Sequence, residues 1–337
     1  AMRQAGSSFK PFIYSAALEK GFTLASVIND APVVIREPGQ PLWRPQNDEK
    51  KFYGPTRLRI GLTKSRNLVA IRLLLAIGIP YTIHYVERFG FLPEQLPPTL
   101  SLALGTLDAT PLQMATGFAT FSNGGYKVEP YLIDHVNDEQ DHVLLKSEPH
   151  ATCPEANSDS SFLISGTSCP KPVITPQNAY LMTSVMEDVL ISGTASTASV
   201  LKRKDLAGKT GTSSDMKDGW FIGYNPDLVA AVWVGYSKTQ KSIHEHGAKA
   251  ALPIWNNVMQ YALKGKPDLP FTMPEGIVSM RIDSKTGLLA GTNEPNSIFE
   301  VFEEKHLPSK YPSSNAPGSV NSSSPYSPEN ENAEPIF

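Results

Sequence analysis

Three apolar segments in close succession constrain this chain more than any other feature. Residues 206–213, 220–224 and 228–236 read as strands, the last two joined by the turn signal Asn225-Pro-Asp227. Connections this short favour antiparallel neighbours, because parallel strands need a long crossover. Helical patterns lie on both sides of this block. Residues 7–20 form a short helix with Ser7 at its N-terminus, Pro11 in its first turn and Gly21 as its stop. Residues 57–63 and 68–77 are helical, interrupted by Lys64-Ser-Arg-Asn67, and a Pro/Gly-rich connection precedes them to about Thr56. Thr110-Pro111 and Thr175-Pro176 each pair an N-cap with a proline at the first helical position, opening helices that end at Gly124-Gly125 and about Ser192. A hairpin is expected from 128–136 and 143–146, a final helix over about 250–263, and a second hairpin around Asp283-Ser-Lys-Thr-Gly287. Helices grouped around a run of antiparallel strands give an α+β fold, an antiparallel sheet flanked by helices.

Composition narrows the function classes. The 337 residues are 40% hydrophobic and 19% charged, the make-up of a folded domain. Thirty basic residues against thirty-three acidic ones leave a net charge of −3. That balance argues against nucleic acid and against a lipid surface as partners. The longest apolar run, around Leu68 to Gly78, contains Arg72 and is too short to span a bilayer, and the first residues lack the apolar stretch of a signal peptide. Residues 311–337 are rich in Ser, Asn, Pro and Glu and read as a disordered tail. Cys153 and Cys169 share a polar loop. A disulfide, worth roughly 3 kcal/mol for a loop of this size, fits them better than a metal site; two unpaired thiols are the alternative. His244 and His246 have no further ligand run near them, so no metal and no cofactor is expected.

Chemistry enters through Ser7-x-x-Lys10, which sets a hydroxyl and an amine on one helix face. The helix N-terminus favours a developing oxyanion, and a buried lysine can lose its proton and serve as the base a serine nucleophile needs. The motif alone is weak, since Ser199/Lys202 and Ser214/Lys217 repeat it. The signal lies in an ordered set: Ser7-x-x-Lys10, then Ser65-Arg-Asn67 in a break between helices, then Lys209-Thr-Gly211 on a strand. The other matches fail on context. Ser313/Asn315 and Ser319/Asn321 fall in the tail, and Lys285-Thr-Gly287 reads as a hairpin tip.

These are the three elements of the penicillin-recognising serine acyltransferases. The wider runs Arg3-Gln-Ala-Gly-Ser-Ser-Phe-Lys-Pro-Phe12, Thr110-Pro-Leu-Gln-Met-Ala115 and Gly208-Lys-Thr-Gly-Thr212 with Asp218-Gly-Trp-Phe-Ile-Gly-Tyr224 resemble the transpeptidase domain of class A penicillin-binding proteins, most of all the Gram-negative 1A type. The resemblance implies a serine β-lactamase/D,D-transpeptidase-like fold over residues 1–310, with a variable insertion at about 137–174. It implies that Ser7 attacks the D-Ala-D-Ala end of a peptidoglycan stem peptide and that an amine of a neighbouring stem takes the acyl group. Lys10 takes the Ser7 proton, Ser65 and Asn67 serve the leaving amine and the substrate amide, and Lys209 supplies positive charge. Thr210, Gly211 and Thr212 hold the substrate, with Ser7 and Thr212 N–H groups as the oxyanion hole. β-Lactams, which mimic D-Ala-D-Ala, would acylate Ser7 at the periplasmic face of the bacterial inner membrane.

One departure from the family pattern stands out. In the family, strands, a helix, a glycosyltransferase domain and a membrane anchor precede the Ser-x-x-Lys helix, whereas this sequence opens six residues before Ser7. An N-terminally incomplete domain with an open sheet edge is therefore expected, with membrane contact only through the missing anchor, no glycosyltransferase activity and no motif identifying envelope partners. Two other readings remain open at this stage. A serine β-lactamase would need a water-activating Glu, which no context offers, and a non-catalytic penicillin sensor would share the same motifs.

Overall fold

The computed structural model describes residues 2–36, 41–147, 172–237, 241–291 and 293–308. A short strand, Arg3–Gln4 (β1), leads through the 3₁₀ turn Gly6–Phe9 into helix Lys10–Glu19 (α1). Strands Val27–Asp30 (β2) and Gly54–Arg57 (β3) follow, then helices Leu58–Thr63 (α2), Asn67–Ile77 (α3) and Ile79–Glu87 (α4). Strand Asp108–Ala109 (β4), helix Pro111–Ser122 (α5) and the hairpin His135–Asn137 (β5) and Val143–Lys146 (β6) precede helix Pro176–Ile191 (α6). Strands Ala207–Thr212 (β7), Asp218–Tyr224 (β8) and Val229–Gly235 (β9) come next. Helices Gly247–Ala250 (α7) and Leu252–Ala262 (α8) and strands Ile277–Asp283 (β10) and Ser297–Glu303 (β11) complete the order.

The expected sheet forms: β7, β8 and β9 lie side by side, antiparallel, with Lys209 opposite Ile222 and Trp220 opposite Trp233. Its two faces are covered by different helices. Trp220, Ile222 and Tyr224 point into the cluster built on α1, α3, α5 and α6, while Phe221 packs against Trp255 of α8 at 4.8 Å between ring centroids. Period-two alternation along β8 therefore fills two cores, and the fold is α+β with helices on both faces of the sheet.

Helix α1 occupies the middle of the larger core. Residues 10–18 are all buried, and Phe12 meets Phe89, Phe91, Phe118 and Phe121 with ring centroids 5.0–5.6 Å apart. A helix buried on every side keeps whatever polar residues it carries out of water, and this decides the state of Lys10.

Local pattern misplaced several elements. Ser7 is not the cap of an α-helix but the second residue of a 3₁₀ turn, and the α-helix starts at Lys10, whose N–H donates to Ser7 O. Pro11 explains the shift: it has no N–H to extend an α-helix backward, so the preceding residues take the tighter i→i+3 bond. The stretch expected as a plain connection contains β2 and β3, which pair antiparallel even through Asn29↔Pro55. Helix α4, not expected from the sequence, carries Pro80 in its first turn, where proline is tolerated. The expected strand over 128–136 shrinks to His135–Asn137, an exposed two-strand hairpin with no core beneath it and Pro130 interrupting the donor pattern. The second hairpin forms as β10–β11, with Lys285-Thr-Gly287 in a turn folded on the Asp283 carboxylate. Cys153, Cys169 and residues 311–337 lie outside the described residues. Among those described, no single helix is long and apolar enough to cross a membrane, and α3 and α4, bent by 94°, belong to the packed core.

Candidate active site

Two glycines bring the first and third motifs together. The 3₁₀ turn approaches β7 so closely that a Cβ on Gly6, whose φ is +57°, would overlap Thr212 O, and one on Gly211 would sit 2.8 Å from Ala5 O and from the Ser8 Cβ. Only glycine fits at either place. Ser7 thus stands against the Lys-Thr-Gly strand, although some two hundred residues separate them in sequence. Among the described residues its hydroxyl has no hydrogen-bond partner, and it is half-buried.

The second motif closes the group. Ser65 sits in the gap between α2 and α3 with φ +57°, a left-handed conformation that costs a non-glycine residue energy and aims its side chain inward. Lys10 Nζ donates to Ser65 O (2.7 Å), to Ser65 Oγ (3.2 Å) and to Asn67 Oδ1 (2.8 Å). Lys209 Nζ donates to Ser65 Oγ (3.0 Å) and to Thr210 O (3.0 Å). The Ser65 hydroxyl therefore accepts from both amines and keeps its own proton to give.

Burial sets the charge on those amines. Both lysines are fully inaccessible to solvent. Desolvation pushes Lys10 down to about 7, with Arg66 acting the same way and Asp48 and Glu49 opposing it. Lys209 is also held well below the usual lysine range, first by burial and then by the neighbouring Lys10 charge. Thr210 Oγ1 lies 2.7 Å from Thr194 Oγ1, and Thr212 Oγ1 accepts from Gly247 N (3.1 Å).

The sequence reading missed the supports. Asn47 Oδ1 accepts from Asn67 N (2.8 Å), capping α3 from a distant loop, while its amide donates to both oxygens of buried Asp30 (2.8 and 3.0 Å). The Asn67 amide in turn donates to Gln46 O (2.9 Å), which leaves its Oδ1 for Lys10. These residues sit in irregular backbone with no periodicity to mark them. Arg66 is a buried packing residue, paired with Glu49 at 2.6 Å and stacked 3.4 Å over the Tyr53 ring. His244 and His246 are exposed, and among the described residues no three ligating side chains converge for a metal.

A serine one turn from an amine that burial brings near neutrality can lose its proton to that amine, the arrangement of a lysine-assisted serine acyltransferase. The chain belongs to the penicillin-binding protein transpeptidase family, whose domain it matches over residues 2–260. It is 43% identical to penicillin-binding protein 1A of Pseudomonas aeruginosa over 95% of this chain and 43% of that protein. The crystal structure of penicillin-binding protein 1A from Haemophilus influenzae superposes with a TM-score of 0.85 at 36% identity, covering 92% of this chain and 49% of that one. PonA1 of Mycobacterium tuberculosis in complex with penicillin V superposes at a TM-score of 0.65 and 25% identity, over 81% of this chain and 73% of that one. The chain thus spans less than half the length of the curated relative it matches.

Proposed function

We propose that this domain is a peptidoglycan D,D-transpeptidase acylated by β-lactams. The observation that carries the reading is the convergence of Lys10 and Lys209 on the Ser65 hydroxyl, beside the turn that presents Ser7. Ser7 Oγ attacks the penultimate D-alanine carbonyl while Lys10, brought down to about 7 by burial and so partly neutral there, takes the hydroxyl proton. The new Ser7–acyl ester forms as the peptide C–N bond breaks, and the Ser65 hydroxyl, replenished from Lys10, protonates the departing D-alanine amine. Backbone N–H groups of Ser7 and Thr212 receive the oxyanion. Thr210, Gly211 and Thr212 line the place of the terminal carboxylate, with Lys209 adding positive charge. The amine of a neighbouring stem then attacks the ester and frees Ser7; water in its place gives carboxypeptidase turnover. No cofactor enters these steps.

The complex of PonA1 with penicillin V supports β-lactams as ligands of this chain. That the relatives are penicillin-binding proteins 1A supports a place in cell-wall synthesis, and for such a role we propose the periplasmic face of the inner membrane. We assign residues 1–310 to the transpeptidase domain, with 137–174 as a variable insertion and 311–337 as a tail.

Labelling the protein with fluorescent penicillin tests the reading. A long-lived adduct that Ser7→Ala abolishes is expected. Release within seconds would indicate a β-lactamase, and no adduct on folded protein would reduce the domain to a scaffold.

A further inference from the structure

A loop outside the three motifs ties two of them together. After α6 the chain turns through Ser192-Gly-Thr-Ala195 and lies against the C-terminal end of α2. Ser192 O accepts from Lys64 Nζ (2.5 Å) and Thr194 N donates to Thr63 O (3.3 Å). Gly193 is so close to this end that a Cβ would stand 2.5 Å from Thr63 O. The loop is thereby fixed to the segment that carries Ser65. From it the Thr194 side chain reaches β7, with its Oγ1 2.7 Å from Thr210 Oγ1.

A proton count separates the two directions that bond can take. A hydroxyl has one proton and two lone pairs. Thr210 Oγ1 also lies 3.4 Å from Lys209 Nζ, which as an ammonium only donates. Either hydroxyl of the pair can donate; in the arrangement where Thr194 donates, its proton goes to Thr210 Oγ1. With both lone pairs of Thr210 engaged, its own proton is left to point into the groove, where an anion would meet it. A Thr210 that instead donated to Thr194 would turn only lone pairs toward a carboxylate and repel it.

We propose that Thr194 is a positioning residue that fixes Thr210 as a hydrogen-bond donor to the substrate's terminal carboxylate. The proposal rests on the transpeptidase reading, in which Thr210 faces that carboxylate, and it adds a residue outside the three motifs to the specificity machinery.

The test uses the whole protein, wild type and the Thr194→Val and Thr194→Ser variants. Acylation rate constants are measured with benzylpenicillin and with its uncharged methyl ester, following the protein adduct by mass. Thr194→Val should slow acylation by the carboxylate form about three- to tenfold, the worth of one hydrogen bond, and leave the ester nearly unchanged. Thr194→Ser, which keeps the hydroxyl, should restore the rate. Equal losses for both ligands would mean that Thr194 only supports the fold and would overturn the proposal, as would an unchanged rate with the carboxylate. In either case the labelled wild type leaves the transpeptidase reading standing; an unlabelled wild type removes both.

Discussion

Lys10 carries a positive charge only at a cost, because α1 buries it and no carboxylate touches it directly. Two consequences follow from its value of about 7 against the ordinary 10.5. The amine is a base only when neutral, so the rate constant for β-lactam acylation should rise between pH 6 and 8 with a midpoint near 7. A flat profile over that range, measured by adduct formation, would remove Lys10 from the base role. Stability moves in the same direction. Between about pH 7 and 10.5 the unfolded chain holds a proton on Lys10 that the folded chain lacks, so unfolding takes up a proton and stability rises with pH across that window. Below it both states are protonated, and the folded state bears the full cost. Thermal unfolding of Lys10→Met should therefore show a shallower rise from pH 7 to 10 than the wild type; parallel curves would contradict the burial argument. The motif spacing revealed which residue types meet here. It did not reveal that α1 is enclosed on all sides, which is a property of the packing and the actual source of the shift. Asn47 and Thr194 were illegible for a related reason: each acts through side-chain bonds to residues in other elements, Asn47 to Asp30 and Asn67 and Thr194 to Thr210.

Elements whose start is written locally were the legible ones. In α5, Thr110 Oγ1 accepts from Gln113 N (3.1 Å) while Gln113 Oε1 accepts from Thr110 N (3.2 Å), a capping box complete within four residues. Thr110→Ala should lower stability by about 1 kcal/mol and leave acylation unchanged in the folded protein, as read by denaturant titration beside penicillin labelling. A cost near zero would show that solvent replaces the cap. Strands were harder to read. β2 and β3 are separated by a long loop and stabilised by each other, so neither carries a full signal alone. The sheet of β7 to β9 was readable because its partners are consecutive. Gly211 shows how an element becomes part of the site. β7 lies against the Ser7 turn only while position 211 lacks a side chain, so Gly211→Ala should abolish penicillin labelling even in protein that retains its circular dichroism.

At the scale of the molecule, the folded unit extends past residue 260, where the family match ends. β10 and β11 form a seven-residue antiparallel ladder that is joined to the site's framework through buried Glu300. Its carboxylate accepts from Arg57 Nη1 at 3.0 Å, Arg59 Nε at 2.9 Å and Arg59 Nη2 at 2.6 Å, and Arg59 also donates to Asp188 of α6 at 2.7 Å. Arg59 lies in α2, the helix that ends just before Ser65, so one carboxylate of the C-terminal hairpin connects β3, α2 and α6 on the side from which the second motif is presented. Replacing both partners of such a pair with apolar groups can be neutral, but removing one leaves buried charge uncompensated, typically at about 3–5 kcal/mol. Glu300→Gln keeps the shape and removes the charge, leaving Arg57 without an ion-pair partner among the described residues. The variant should therefore unfold several degrees below the wild type in calorimetry, and Glu300→Asp should recover only part of the loss, since the shorter carboxylate cannot reach both arginines. Equal midpoints for wild type and Glu300→Gln would mean that the hairpin is an appendage and that the transpeptidase unit is complete without it.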